Sequence, residues 1–349
     1  MTEIEWGRYP IIATDERARA WLQIHGDLGR APNTVDAYGR GLEDYFRFSH
    51  HAGVRPESAS RAHVAAYVRE LAERPNPRSS KIRRIDSGRG LSNATMQQRL
   101  TVVRLFYDYL MEEGLRANNP VGRGRYTPGT AFGGARERGI LPRFRKLPWI
   151  PSDDQWQLVL VAARRELLRN QLMLDLAYDG ALRREELCTL EPGDIDPAHR
   201  EVRIRAEVTK GRTERHVRYT EETGRLLAAY LQQRRAMGRS NRLLFLSESR
   251  RNRGKPISIW SWSKVIAGIA ERAHLPQFTT HTPRHLRLTD LARAEMDIHE
   301  IAAYAGHRSI QTTLLYIHLS GRELAPRFDR AMQSIRRWRS GSAGDASGC

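Results

Sequence analysis

His281-Thr282-Pro283-Arg284-His285 is followed by Gly306-His307 and then by Tyr316, all inside 36 residues near the C-terminus. A guanidinium can grip two non-bridging phosphate oxygens at once. Imidazoles donate or shuttle protons near neutral pH. A phenol can attack phosphorus and hold it as an ester. With no His, Cys, Asp or Glu cluster of metal-ligand spacing beside them, these groups would have to work by fixed positive charge. The stretch therefore reads as a metal-free, phosphate-handling site carrying its own nucleophile.

Outward from that stretch, the chain supports a nucleic-acid partner. Its 349 residues suggest about two domains. The formal net charge of +18, from 58 Lys and Arg against 40 Asp and Glu, favours a polyanion, because binding releases condensed counterions. The two cysteines, Cys188 and Cys349, form neither a disulfide framework nor a zinc pattern, and imply a reducing compartment. There is no signal-peptide pattern at the N-terminus and no apolar run near the ~20 residues that span a bilayer. The expectation is a cytoplasmic, nucleoid-associated protein with no membrane partner.

Periodicity predicts a helical bundle over 12–120. Asp15 caps a helix carrying Ala18, Trp21 and Leu22, and Asn33-Thr34 starts one carrying Val35, Leu42, Tyr45 and Phe46. A third helix runs near 61–73, and Ser92 or Asn93 caps a fourth ending near Gly114. The aromatics at helical spacing read as core. Between the last two helices lies a basic loop with Arg78, Lys81, Arg83 and Arg84, expected to touch DNA phosphates, as are Arg99 and Arg212. Residues 121–150, rich in Gly and Arg, read as a basic linker.

A second domain is expected over 151–339, capped at Ser152, with a disordered tail at 340–349. It is helical except where Val202, Ile204, Ala206 and Val208 alternate with polar residues, with alternation returning at Val217 and Tyr219. That is a β-hairpin turning at Lys210. Helices are predicted at 221–236, 257–272, 283–295, 297–305, 309–318 and 322–338. The fold class is mainly α with a small β-hairpin or sheet, an α+β chain.

Taken in order, Ala181-Leu182-Arg183-Arg184-Glu185-Glu186-Leu187, Thr209-Lys210-Gly211-Arg212, His281-Thr282-Pro283-Arg284-His285, Ala305-Gly306-His307 and Thr312-Thr313-Leu314-Leu315-Tyr316 resemble the five boxes of the tyrosine recombinase (phage integrase) family, especially its Xer-like and integrase-like bacterial members. The resemblance covers about 152–320 and extends more weakly to the N-terminal bundle, which is similar to the family's helical, SAM-like core-binding domain. Two departures are visible: Ala181 stands where many relatives have glycine, and Pro283 where leucine is frequent.

The resemblance implies a site-specific recombinase that cuts and rejoins DNA through a 3′-phosphotyrosyl intermediate with no metal, cofactor or ATP. Arg183 and Arg284 would clamp the scissile phosphate, Lys210 would protonate the 5′ leaving oxygen, and His281 and His307 would bond the phosphate and help deprotonate Tyr316, the nucleophile. Glu186 would orient the basic cluster, with Glu185 as its local competitor. His285, His299 and His318 are expected to be structural. Partners implied are duplex recombination sites, with both domains closing around the duplex, and the protein itself, as a dimer on one site and a tetramer at synapsis; accessory proteins are left open. Readings from other classes are a type IB topoisomerase-like or hairpin-resolving enzyme, and a DNA-binding protein without catalysis.

Overall fold

The computed structural model describes residues 2–74, 90–121, 141, 147–209, 211–237, 241–319, 328–329 and 332–337. Lys210, Arg78, Lys81, Arg83, Arg84, most of the 121–150 linker and the 340–349 tail lie outside the described residues. The chain divides into two compact units, Met1–Arg145 and Lys146–Cys349.

The first unit holds α1 (Pro10–Thr14), α2 (Glu16–Asp27), α3 (Pro32–His51), α4 (Arg61–Glu73) and α5 (Asn93–Glu112). Asp15 caps α2 through the Ala18 N–H, and Ser92 caps α5 through the Thr95 N–H, as their sequence positions predict. The short α1 was not expected. Its first N–H groups are met by a tertiary partner: the buried Glu43 carboxylate accepts from Ile11 and Ile12 at 3.0–3.2 Å. Tyr45, Phe46 and Phe106 are fully buried, and the Tyr45 and Tyr107 hydroxyls meet at 2.7 Å. These aromatics are core.

The second unit comprises α6 (Asp153–Ala163), α7 (Leu168–Asp179), α8 (Arg184–Cys188), β1 (Ile195–Asp196), β2 (Glu201–Ile204), β3 (Arg215–Arg218), α9 (Glu221–Ala236), α10 (Ile259–Arg272), α11 (Thr282–Arg293), α12 (Ile298–Ala305) and α13 (Ile310–Leu319). Ser152 forms a full capping box with Gln155 at the start of α6. The strands make one antiparallel sheet in the order β1-β2-β3, with Val202 opposite Val217 and Ile204 opposite Arg215.

The hairpin differs from its sequence reading in one respect. The alternation expected to run to Val208 stops at Ile204, and Ala206–Val208 form a 3-10 turn. Local bonds replace the ladder there: Val208 and Thr209 donate back three residues, and the Thr209 hydroxyl bridges Ala206 O and Thr213 O. The sheet also gains β1, which alternation could not reveal in two residues.

Two apolar clusters matter for position. The larger packs α6, α7, α9 and α10 on the inner sheet face through Leu172, Leu176, Val202, Ile204, Val217, Trp262 and Ile266. The smaller joins Ala181, Leu288, Ala292, Ile301, Ala305 and Tyr316. It draws α11, α12, α13 and the α7–α8 junction together, and the polar groups above it form the site. No helix among the described residues is long and apolar enough to cross a membrane.

Candidate active site

Arg183 is the N-cap residue of α8, so its placement follows from how α7 ends. That junction turns at Ala181, buried with φ of 47°, in the left-handed region that favours glycine. The Arg183 N–H donates to Glu186 Oε2 at 2.9 Å, and Nη1 donates to Glu186 Oε1 at 2.7 Å. Its Nη2 donates to the Gly306 carbonyl at 3.2 Å, across 123 residues.

Arg284, nearly solvent-free on the first turn of α11, donates to the carbonyls of Ala181 and Ala305 and, at 3.1 Å, toward His307 Nε2. Arg284 thus locks onto backbone carbonyls of both turns, and Arg183 joins it at the second. Burial, and then repulsion from Arg183, pulls the Arg284 guanidinium down to about 10, which still leaves it charged at neutral pH.

Gly306 ends α12 with φ of 62°, and the turn it makes presents His307. Because Arg284 can only donate, His307 Nε2 must accept; Nδ1 therefore carries the proton and donates to Thr313 Oγ1 at 2.9 Å. Burial, followed by the charges of Arg284 and Arg183, lowers His307 to about 3, so it is neutral. Its ring stacks on that of Tyr316, with centroids 5.9 Å apart and planes within 6°.

Tyr316, on α13, is 2 % exposed. Its hydroxyl meets His285 Nδ1 at 2.9 Å, a contact that the structural reading of His285 did not anticipate. The charged neighbours do not decide how readily this phenol ionises. Burial raises its pKa by more than Arg284 and Arg183 lower it, and the histidines beside it carry no charge.

Glu186 takes the acidic position, and Glu185 instead pairs with Arg184. Burial alone would raise the Glu186 carboxyl, but hydrogen bonds and charge from Arg215, then from Arg183, bring it down to about 2. Sequence reasoning missed Arg215, which donates to both Glu186 oxygens and through Nε to Tyr304 O at 2.9 Å. The signal was there: Arg215 shares the inward parity of Val217 and Tyr219. Missed as well was Arg308, whose Nε and Nη2 donate to the Gly211 carbonyl at 3.1 and 2.7 Å and tie the hairpin turn to the His307 segment.

Arg183, Glu186, Arg284, His307 and Tyr316 are therefore brought together. His281 is exposed at the N-cap of α11, its ring 6.4 Å from that of His285. Arg212 is exposed beside the hairpin turn, whereas Arg99 lies in the first unit, paired with Asp44 along with Arg74 and Tyr67. His299 is exposed, with its backbone N–H on Asp297. Among the described residues no group of three or more His, Cys, Asp and Glu could hold a metal.

Residues 149–323, half of the chain, match the phage integrase family, and residues 21–114 match the phage integrase N-terminal SAM-like domain. The chain belongs to the phage integrase family. Within it, the sequence is 26 % identical over 322 residues to tyrosine recombinase XerC of Herpetosiphon aurantiacus, covering 91 % of this chain and 94 % of that one. It is 29 % identical over 319 residues to tyrosine recombinase XerD of Caulobacter vibrioides, covering 88 % and 93 %. The fold is shared with XerH site-specific recombinase, solved with palindromic difH substrate as a post-cleavage complex: TM-score 0.65 and 17 % identity, over 93 % of this chain and 85 % of that one. In this phage integrase member Arg183, Arg284, His307 and Tyr316 meet within the second unit.

Proposed function

We propose that this protein is a site-specific DNA recombinase that cuts and rejoins strands through a phosphotyrosyl link at Tyr316. The observation that carries the reading is the position of the Tyr316 hydroxyl, held among His285, His307, Arg284 and Arg183 within one unit. Attack by the phenol on a backbone phosphate builds negative charge on five-coordinate phosphorus, and fixed guanidinium donors stabilise such charge without reorganising. A guanidinium has five N–H donors. Arg284 gives three to Ala181, Ala305 and His307 and also acts on the Tyr316 oxygen, which places its charge where the phosphate must sit for attack.

Arg183 and Arg284 clamp the phosphate, exposed His281 donates to it from the rim, and Glu186 fixes Arg183. Lys210 protonates the 5′ oxygen as it leaves. The ester conserves bond energy, so religation to another strand requires no ATP. Arg78, Lys81, Arg83 and Arg84 of the first unit and Arg212 of the second add phosphate contacts and give an affinity that falls steeply with salt. Exchange between two duplexes requires two protomers per site and four at synapsis; the exposed Phe328 and Ile335 near the C-terminus support a surface for a second copy.

The test is covalent capture. DNA attached to the protein through denaturation, recovered from cells expressing it and sequenced, should mark one site and one strand position. Tyr316→Phe should bind DNA and capture none. Capture by that variant at an equal level would refute the assignment.

A further inference from the structure

The phenol proton must go somewhere before Tyr316 can attack, and the family resemblance offers His281 and His307 as its acceptors. Neither is suited as the structure stands. His307 spends Nε2 on accepting from Arg284 and Nδ1 on Thr313, and it meets Tyr316 by ring stacking, not by a nitrogen. His281 lies one helical turn away, at the exposed N-cap of α11.

We propose that His285 is a further catalytic residue, the base that takes the Tyr316 proton. Its Nδ1 stands 2.9 Å from the phenol oxygen, within the heavy-atom reach of direct proton transfer. The arginines that act on that oxygen are donors only, so the hydroxyl hydrogen cannot go to them, and the imidazole nitrogen, in the tautomer that leaves Nδ1 bare, is placed to accept it. The contact joins α11 to α13 across 31 residues and sits over the buried Leu288, Ala292 and Ala305 cluster, which fixes both helices. Burial, then the His281 ring and the Arg284 charge, holds His285 near pKa 4, so at neutral pH it has a vacant lone pair. The groups facing it are His281 and Arg284 on its own helix, Tyr316 on α13, and His307 from the intervening turn.

The step balances simply, resting on the reading of Tyr316 as nucleophile. The O–H proton moves to His285 Nδ1, leaving imidazolium. The phenolate oxygen forms a bond to phosphorus as the bond from phosphorus to the 5′ oxygen breaks, and that oxygen takes a proton from Lys210. Religation runs the same transfers backwards, with His285 returning its proton to Tyr316.

The experiment uses the full-length protein and a duplex carrying the captured site, nicked so that the cleaved fragment diffuses away. Capture rate is followed across the neutral to alkaline range, with folding and DNA binding checked in parallel. His285→Asn places an amide where Nδ1 stands, so it keeps a hydrogen bond but accepts no proton; His285→Gln is the second variant. Both should bind the duplex and capture ~100- to 10,000-fold more slowly, a loss typical of a missing general base, with the deficit shrinking as pH rises toward the phenol's own ionisation. The deficit should persist on a duplex with sulfur at the 5′ bridging position, whose leaving group needs no acid. A wild-type rate and pH profile in His285→Asn, or a deficit abolished by the sulfur substrate, would overturn the role of His285 alone. Capture by Tyr316→Phe would overturn this proposal and the recombinase assignment together.

Discussion

Arg215 and Glu186 form a closed pair: both terminal nitrogens of the guanidinium sit on the carboxylate, at 3.1 and 2.7 Å, and both side chains are buried. The same carboxylate also takes Arg183, while Arg215 Nε reaches back to Tyr304 O at the end of α12. One acid thus sets two arginines, and the outer strand of the hairpin is fastened to the turn that carries His307.

Truncating one partner of such a pair leaves the other charged and buried. Arg215→Ala should therefore lower the stability of the catalytic unit by about 3–5 kcal/mol in denaturant unfolding. It should also slow strand cleavage, because Arg183 loses its fixed neighbour. A loss under about 1 kcal/mol would mean that the pair is not the tie described.

Gly306 carries a related prediction. A Cβ there would lie 3.1 Å from Arg215 Nη1, and the backbone holds φ at 62°. Gly306→Ala should cost about 1–2 kcal/mol from the left-handed backbone alone and reduce cleavage further by shifting His307 and Arg215. Thermal unfolding with wild-type stability would contradict that.

Acid should destabilise the catalytic unit. His285 near 4 and His307 near 3 are both depressed from 6.5, so each contributes stability that is present above 6.5 and lost as pH falls through the folded value. Glu186, near 2, adds the same trend below 4.5. Asp175 opposes it: burial, and then Asp179, raises that carboxyl to about 6, so its contribution is complete below 3.8 and lost as pH rises through 6. Two histidines outweigh one aspartate, and the unfolding temperature should drop from about pH 6.5 to about pH 4, with Glu186 extending the fall below 4.5. His307→Asn should flatten the slope and Asp175→Asn should steepen it. A transition temperature independent of pH across that window would refute the assignment of these groups.

Cys188 is buried on α8, and burial followed by the Glu185 charge pushes its thiol up to about 12. It should resist alkylation in the native protein at about pH 8 and react once the chain is unfolded. Modification of the folded protein as fast as free thiol would show that α8 opens readily.

Much of this site was legible in the chain because it is written in local motifs. Helix caps at Asp15, Ser92 and Ser152, the Gly306 stop and the order of arginine, histidine and tyrosine boxes each depend on a few adjacent residues. The glycine that many relatives carry at the Ala181 position also acquires a reason, since the backbone there is left-handed. What was not legible depends on residues meeting across elements. His285 looks like any helical histidine until α13 is laid against α11. The sign of the shift at Tyr316 needed its burial as well as its charged neighbours, and the end of β2 was decided by hydroxyl bonds of Thr209 that alternation does not encode.

The most direct measurement is the identity of the residue that carries DNA. Covalent complex should be trapped, digested with nuclease and trypsin, and sequenced by mass spectrometry. The account predicts a nucleotide adduct, linked through its 3′ phosphate, on peptide 309–322 at Tyr316. An adduct on any other residue, or a 5′ linkage at Tyr316, would contradict it.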